Sequence, residues 1–421
     1  YLSMRTTAGI PVARRVGGFV YAIRNIVNEA RKVEASGRNV RYLNIGDPIT
    51  FGFKTPPHLI EAVERAMRDG SNGYAPSVGI LPAREAVAGE LTRRGMPVSP
   101  DRVIITSGTS EGIELTLTAL AEGGDEVLVP SPTYPLYTAV LAKIGARAVF
   151  YPTDPERGWL PDVDHIRSLI NATTRALVVI DPNNPTGATY PADVRRALIE
   201  IADERNIPLL ADEVYGDLAY AGPVPPLASL APDAPIISFS SLSKAYLAPG
   251  WRAGWMAVGR TDRLDDVLAG VKKLADGRLC STAPMEYAIP AALNGDRSHE
   301  AGFRAALQER AALTAARLNA IPGMRTVAPS AAFYAMPQVA LPPGVTDEDY
   351  VLALLRATGI LCVHGSGFAT RPEDGFFRVV FLAPPDELAG IYDDIGAFTA
   401  DFLARSESNG PVLTERSESK G

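Results

Sequence analysis

A lysine preceded by two small hydroxyls and followed by an arginine is the first place where this chain could do chemistry. Lys244 stands in Ser241-Leu242-Ser243-Lys244-Ala245-Tyr246, which continues to Pro249-Gly250-Trp251-Arg252-Ala253-Gly254. Apolar, strand-like runs flank it: Ile236 to Phe239 before, Trp255 to Val258 after. Lysine is seldom buried unless it is paired or chemically used. A dry pocket lowers its pKa and frees a nucleophilic amine, the group that a Schiff base with a carbonyl cofactor needs. The same lysine could equally sit on a surface turn between two strands, and this stretch leaves both readings open.

Other reactive residue types stand where apolar runs stop. Ser107-Gly108-Thr109-Ser110-Glu111-Gly112 follows the strand-like Val103 to Thr106 and precedes an apolar helix from Ile113 to Leu120. Strand, small-residue turn and helix can cradle a phosphate, although many ordinary crossovers share the pattern. Tyr134 lies just past the run Glu126 to Pro130, where open sheets bind ligands, or it packs under a loop. Asp181-Pro182-Asn183-Asn184-Pro185-Thr186-Gly187 is a turn, and also a rigid mount for the Asn184 amide. Asp212 ends the run Pro208 to Ala211 and could be a helix cap or a working acid. Arg378, inside Phe376 to Val380, calls for a carboxylate, internal or from a ligand. Tyr74 stands in the loop Asn72 to Gly79.

These positions need a scaffold, and the apolar pattern supplies one. Strands and helices alternate from about Val103 to Val258, which predicts an α/β fold: a mainly parallel sheet with helices on both faces. The absence of Gly-x-Gly-x-x-Gly disfavours a dinucleotide. From Met324 short strands mix with helices in a smaller α+β lobe. The expected organisation is an arm over 1–46 that contributes to the small lobe, a large lobe over 47–320, the small lobe over 321–405 and a disordered tail over 406–421. Helical spacing from Val20 to Val33 reads as a folded arm in preference to a transit peptide. Val40 to Ile45 reads as a short strand. The 421 residues carry 41 Lys and Arg against 48 Asp and Glu. That net charge of −7 advertises no nucleic-acid surface. No apolar run reaches membrane-spanning length. Cys280 and Cys362 make no disulfide framework, which fits a reducing, cytoplasmic compartment. The four histidines lack metal-ligand spacing.

Taken in order, Gly-Thr-Ser-Glu at 108–111, Asn-Asn-Pro-Thr-Gly at 183–187, Ala-Asp-Glu-Val-Tyr at 211–215, Ser-Leu-Ser-Lys at 241–244, Trp-Arg-Ala-Gly at 251–254 and Phe-Arg-Val at 377–379 carry a resemblance. From about Val20 to Leu403 the chain resembles the fold-type I, pyridoxal-phosphate-dependent aminotransferases of class I and II. Leu43 to Pro48, Phe51-Gly52-Phe53 and Arg278-Leu279-Cys280 are similar to the bacterial alanine aminotransferase branch. The resemblance implies pyridoxal 5'-phosphate bound to Lys244, which also moves protons. It implies Asp212 on the pyridine nitrogen, Tyr215 and Asn184 on the phenolate oxygen, and Tyr134 stacked on the ring. It implies Thr109, Ser110, Ser241 and Arg252 on the phosphate, with Tyr74 reaching it from the other subunit of a homodimer. Arg378 and the Gly46 N–H would take the substrate α-carboxylate, with Asn184 also among the substrate-binding residues. Where aspartate-specific relatives carry an arginine, this chain has Gly277, with Arg278 one residue on. The implied reaction is ping-pong transfer of an amino group from an amino acid, alanine first, to 2-oxoglutarate. The alternatives are a broad aliphatic or aromatic aminotransferase, an aspartate aminotransferase, a carbon–sulfur β-lyase using the same lysine, and a non-enzymatic aminotransferase-like regulator.

Overall fold

The computed structural model describes residues 10–17 and 22–409. Its centre is an eight-stranded sheet: β1 (Val103–Ser107), β2 (Glu126–Ser131), β3 (Arg147–Asp154), β4 (Leu160–Pro161), β5 (Thr174–Ile180), β6 (Leu209–Asp212), β7 (Ile236–Ser241) and β8 (Ala253–Val258). Their spatial order is β1-β8-β7-β6-β5-β2-β3-β4. β8 runs antiparallel to both of its neighbours, and β4 is an antiparallel edge. The remaining pairs are parallel. Parallel strands are covered on both faces, so they read as continuous apolar runs without alternation. Here Ile104, Val178, Leu210 and Ile237 join one core, beneath α2 (Gly108–Leu120), α3 (Pro135–Ile144) and α5 (Asp265–Gly277). Their neighbours Ile105, Leu177, Leu209 and Ile236 face the other core, with α4 (Ala192–Glu204) and α6 (His299–Asn319).

β1, β6 and β7 end at one edge of this sheet, because β8 between β1 and β7 is reversed. Ligands of open α/β sheets collect at the carboxyl ends of strands. A second assembly overhangs that edge. β9 (Tyr334–Ala335) and β10 (Val363–His364) flank β11 (Phe377–Val380), with α7 (Asp347–Thr358) and α8 (Pro385–Asn409) packed on it. Residues 22–42 join this assembly: Arg41–Tyr42 pairs in parallel with Ile360–Leu361, and α1 (Ala22–Ala35) contacts α7.

Three local expectations change. The helix expected from Ile113 starts at Gly108, so Thr109 and Ser110 lie inside its first turn. Gly108 can enter a helix straight from a strand because its φ is +72°, which side chains resist. The strand expected over Val40 to Ile45 is only Arg41–Tyr42, since Asn44 and Gly46 are committed to the cleft below. α8 continues past Ser406 to Asn409; the rest of the expected tail, and Val20, lie outside the described residues. No described helix is long and apolar enough to cross a membrane.

Candidate active site

A cleft of about 550 Å³ opens between the carboxyl edge of the sheet and the overhanging assembly. Gly46, Thr109, Ser110, Tyr134, Asn184, Asp212, Tyr215, Ser241, Lys244, Arg252 and Arg378 all line it. The size suits a small cofactor with its substrate. Tyr74 is the exception: it is 85% exposed and lies outside this cleft.

Lys244 sits in a turn that Ser241 and Ala253 tie back to the sheet. Ser243 N–H donates to Ser241 Oγ at 3.2 Å, and Leu242 N–H to the Ala253 carbonyl at 2.9 Å. Its Nζ donates to the Gly46 carbonyl at 3.0 Å. Burial lowers the lysine pKa to about 8, and the Arg378 cation pushes the same way. Asp212 ends β6, with Tyr137 donating to its Oδ2 at 3.1 Å. Burial raises this carboxyl to about 6, against the Tyr137 and Val214 hydrogen bonds.

The first turn of α2 meets Arg252, whose φ of 53° is unusual for a residue with a side chain. Gly108 N–H donates to the Arg252 carbonyl, and the guanidinium donates to the Pro249 carbonyl at 3.0 Å and the Ser107 carbonyl at 3.3 Å. Gly254 makes this closeness possible: a Cβ there would lie 2.6 Å from the Gly108 carbonyl carbon and 2.7 Å from Thr109 N.

Arg378 is 1% exposed at the centre of the small sheet. Its guanidinium lies between the Tyr334 ring at 4.8 Å and the Phe368 ring at 4.7 Å. Nη1 donates to Asn184 Oδ1 at 3.0 Å, and Nη2 to the Asn44 carbonyl. Asn183 stiffens the loop that presents Asn184, accepting from Thr186 N–H and Oγ1. Arg278 points elsewhere: it pairs with Glu111 at 2.8 Å and donates to the carbonyls of Ser77 and Ile105.

Sequence reasoning passed over Tyr137, Tyr334 and Asp47. Tyr137 is fully buried beside Asp212, Tyr334 lines the cleft, and Asp47 opposes the lowering of the Lys244 pKa. An acid next to Gly46 was a usable signal for Asp47. The two tyrosines sit in apolar runs and read as core.

Pyridoxal phosphate fits these groups. Thr109 Oγ1 is buried without a hydrogen-bond partner at the start of α2, where an anion is favoured. Arg252 adds a fixed positive charge beside it, and Lys244 has its ammonium form destabilised within the same cleft. A buried carboxyl, Asp212, is available to a ring nitrogen.

Comparison with known proteins agrees with this chemistry. The family model for aminotransferase class I and II matches residues 38–391. The chain is 39% identical over 396 residues, 91% of each chain, to the alanine aminotransferase of Mycobacterium tuberculosis. It is 36% identical to the glutamate-pyruvate aminotransferase of Escherichia coli, covering 87% of this chain and 92% of that one. Among solved structures, the alanine aminotransferase from Pyrococcus furiosus superposes with a TM-score of 0.90 at 38% identity, over 93% of this chain and all of that one. The Thermus thermophilus aspartate aminotransferase with maleate gives 0.84 at 30% identity, again over 93% of this chain and all of that one.

Proposed function

Because this chain belongs to the class I and II aminotransferases, which work with pyridoxal phosphate, we propose that it moves the amino group of alanine to 2-oxoglutarate by a ping-pong cycle through Lys244. The observation that supports this is the convergence of a low-pKa amine, a buried carboxyl and a sandwiched guanidinium on one cleft. Bound pyridoxal phosphate supplies an aldehyde and an aromatic ring that draws electron density from the substrate Cα.

The residues of this chain do the rest. Thr109, Ser110, Ser241 and Arg252 hold the phosphate with hydroxyls, helix N–H groups and one fixed charge. Tyr134 covers a ring face. Asp212, ionised, keeps a proton on the pyridine nitrogen, and Tyr137 orients that carboxylate. Tyr215 and Asn184 donate to the phenolate oxygen. Arg378 and the Gly46 N–H take the substrate α-carboxylate and so aim its Cα–H. Lys244 Nζ, as the neutral amine, takes the proton from that Cα and in the second half of the cycle delivers one to the acceptor's carbon. Pyruvate leaves before 2-oxoglutarate enters the same clamp. Tyr74 completes the phosphate site of the other subunit in a homodimer, in keeping with its exposure. Arg278 is occupied by Glu111, so it is not the group that receives a second carboxylate, whether of aspartate or of 2-oxoglutarate.

A half-reaction screen tests the whole reading. Purified holoenzyme mixed with each common amino acid should lose its visible cofactor absorbance fastest with alanine and release pyruvate, and 2-oxoglutarate should restore the band. Pyruvate and ammonia formed continuously without an oxo acid would identify a lyase.

A further inference from the structure

The cleft contains a pair of phenols that the reaction above uses only in half. Tyr215 and Tyr334 have their hydroxyl oxygens 2.8 Å apart, and their rings meet edge to face at 86°. Both are buried, at 3% and 2% exposure. Tyr215 follows β6 of the large sheet, while Tyr334 belongs to β9, beside the strand that carries Arg378. Two neutral hydroxyls at this distance share one hydrogen, so one donates and the other accepts. What faces each ring biases which of the two donates.

We propose that Tyr334 is a positioning residue: its hydroxyl donates to Tyr215 and thereby turns the Tyr215 proton toward the cofactor. Arg378 lies 4.8 Å from the Tyr334 ring centroid and keeps its charge at every working pH. A cation over the ring face stabilises electron density withdrawn from the hydroxyl, which makes that phenol the better donor. Lys244 lies farther from the Tyr215 ring, at 5.8 Å, and loses its charge during the reaction, so it favours Tyr215 as a donor less strongly. A hydroxyl that accepts one hydrogen bond donates the next one more strongly. Gly46 preserves the arrangement, since a Cβ there would lie 2.3 Å from the Tyr334 hydroxyl.

The proposal rests on Tyr215 donating to the phenolate oxygen. A weaker Tyr215 donor leaves more charge on that oxygen, which then holds the neighbouring imine proton more tightly. The measurement is the pH midpoint of the visible absorbance band of the holoenzyme. Tyr334→Phe keeps the ring over Arg378 and removes only the hydroxyl. It should raise the midpoint by roughly 0.3–1 pH unit, with KM for alanine within about twofold, since the clamp is intact. In a Tyr215→Phe background the same change should move the midpoint no further. An unchanged midpoint in Tyr334→Phe, or an equal shift in both backgrounds, overturns the proposal alone. An unchanged midpoint in Tyr215→Phe overturns the role given to Tyr215 above, and this proposal with it.

Discussion

At the scale of single residues, the site depends on charges held where water would otherwise weaken them. Lys244 is the clearest case. Its ammonium form is disfavoured mainly by burial and then by Arg378, so the free amine accumulates above a pH of about 8. Capture of pyridoxal phosphate by cofactor-free protein should therefore quicken as pH rises and level off above about 8, followed by stopped-flow absorbance. A flat profile from pH 6.5 to 9 would refute that. Lys244→Ala should lower the rate of Cα proton removal by roughly 10²–10⁴-fold or more, measured by single-turnover absorbance. Asp212 carries the opposite bias. Burial raises its carboxyl to about 6. The folded chain then holds a proton that the unfolded chain has already released. Stability of the cofactor-free protein thus falls as pH rises from about 4 through 6, and the loss is complete above. Asp212→Asn should restore on the order of 1–3 kcal/mol to the cofactor-free protein at pH 7.5, while slowing turnover by orders of magnitude. Denaturant melts and turnover assays of the same sample would separate the two effects.

At the scale of elements, the site is built where strands end and helices begin. The cradle at α2 needs two glycines for different reasons. Gly108 needs its positive φ, and Gly254 needs its missing Cβ to let β8 approach the helix start. Gly254→Ala should push the two apart and weaken pyridoxal phosphate binding by at least about tenfold, for a loss of about 1.4 kcal/mol or more. Equilibrium dialysis of the cofactor measures it, and native affinity in the variant would mean that the cradle does not hold the phosphate. The alternation of β and α was legible because buried parallel strands write themselves as apolar runs. Residues at the ends of those runs, such as Asp212 and Lys244, stood out for the same reason. The start of α2 was not legible, because Ser107-Gly108-Thr109-Ser110 is also what a turn looks like. Nor were Tyr137 and Tyr334. Their hydroxyls meet partners 75 and 119 residues away, and nothing local marks an aromatic in an apolar run as polar at its tip. Arg278 was read by its position against relatives, whereas its partner Glu111 lies 167 residues away.

At the scale of the whole molecule, one chain holds most of a site and presents Tyr74 outward. If two copies complete each other, a Lys244→Ala chain and a Tyr74→Ala chain should rescue one another. Each hybrid dimer would then carry one site with Lys244 from one copy and Tyr74 from the other. An equal mixture, unfolded and refolded together, should reach about a quarter of native activity, well above either variant alone. No gain over the average of the two parents would mean that Tyr74 serves no neighbouring site. The reversed strand β8 has a consequence of another kind. β1 must wait for β8 as its sheet partner, about 150 residues later in the chain. At ordinary rates of translation that is roughly 8–30 s. A ribosome making this protein has therefore released most of the large sheet before the strand leading into the cradle finds its place. Until β8 docks, Arg252 has no fixed place beside the first turn of α2, so the phosphate cradle takes shape only at that late stage.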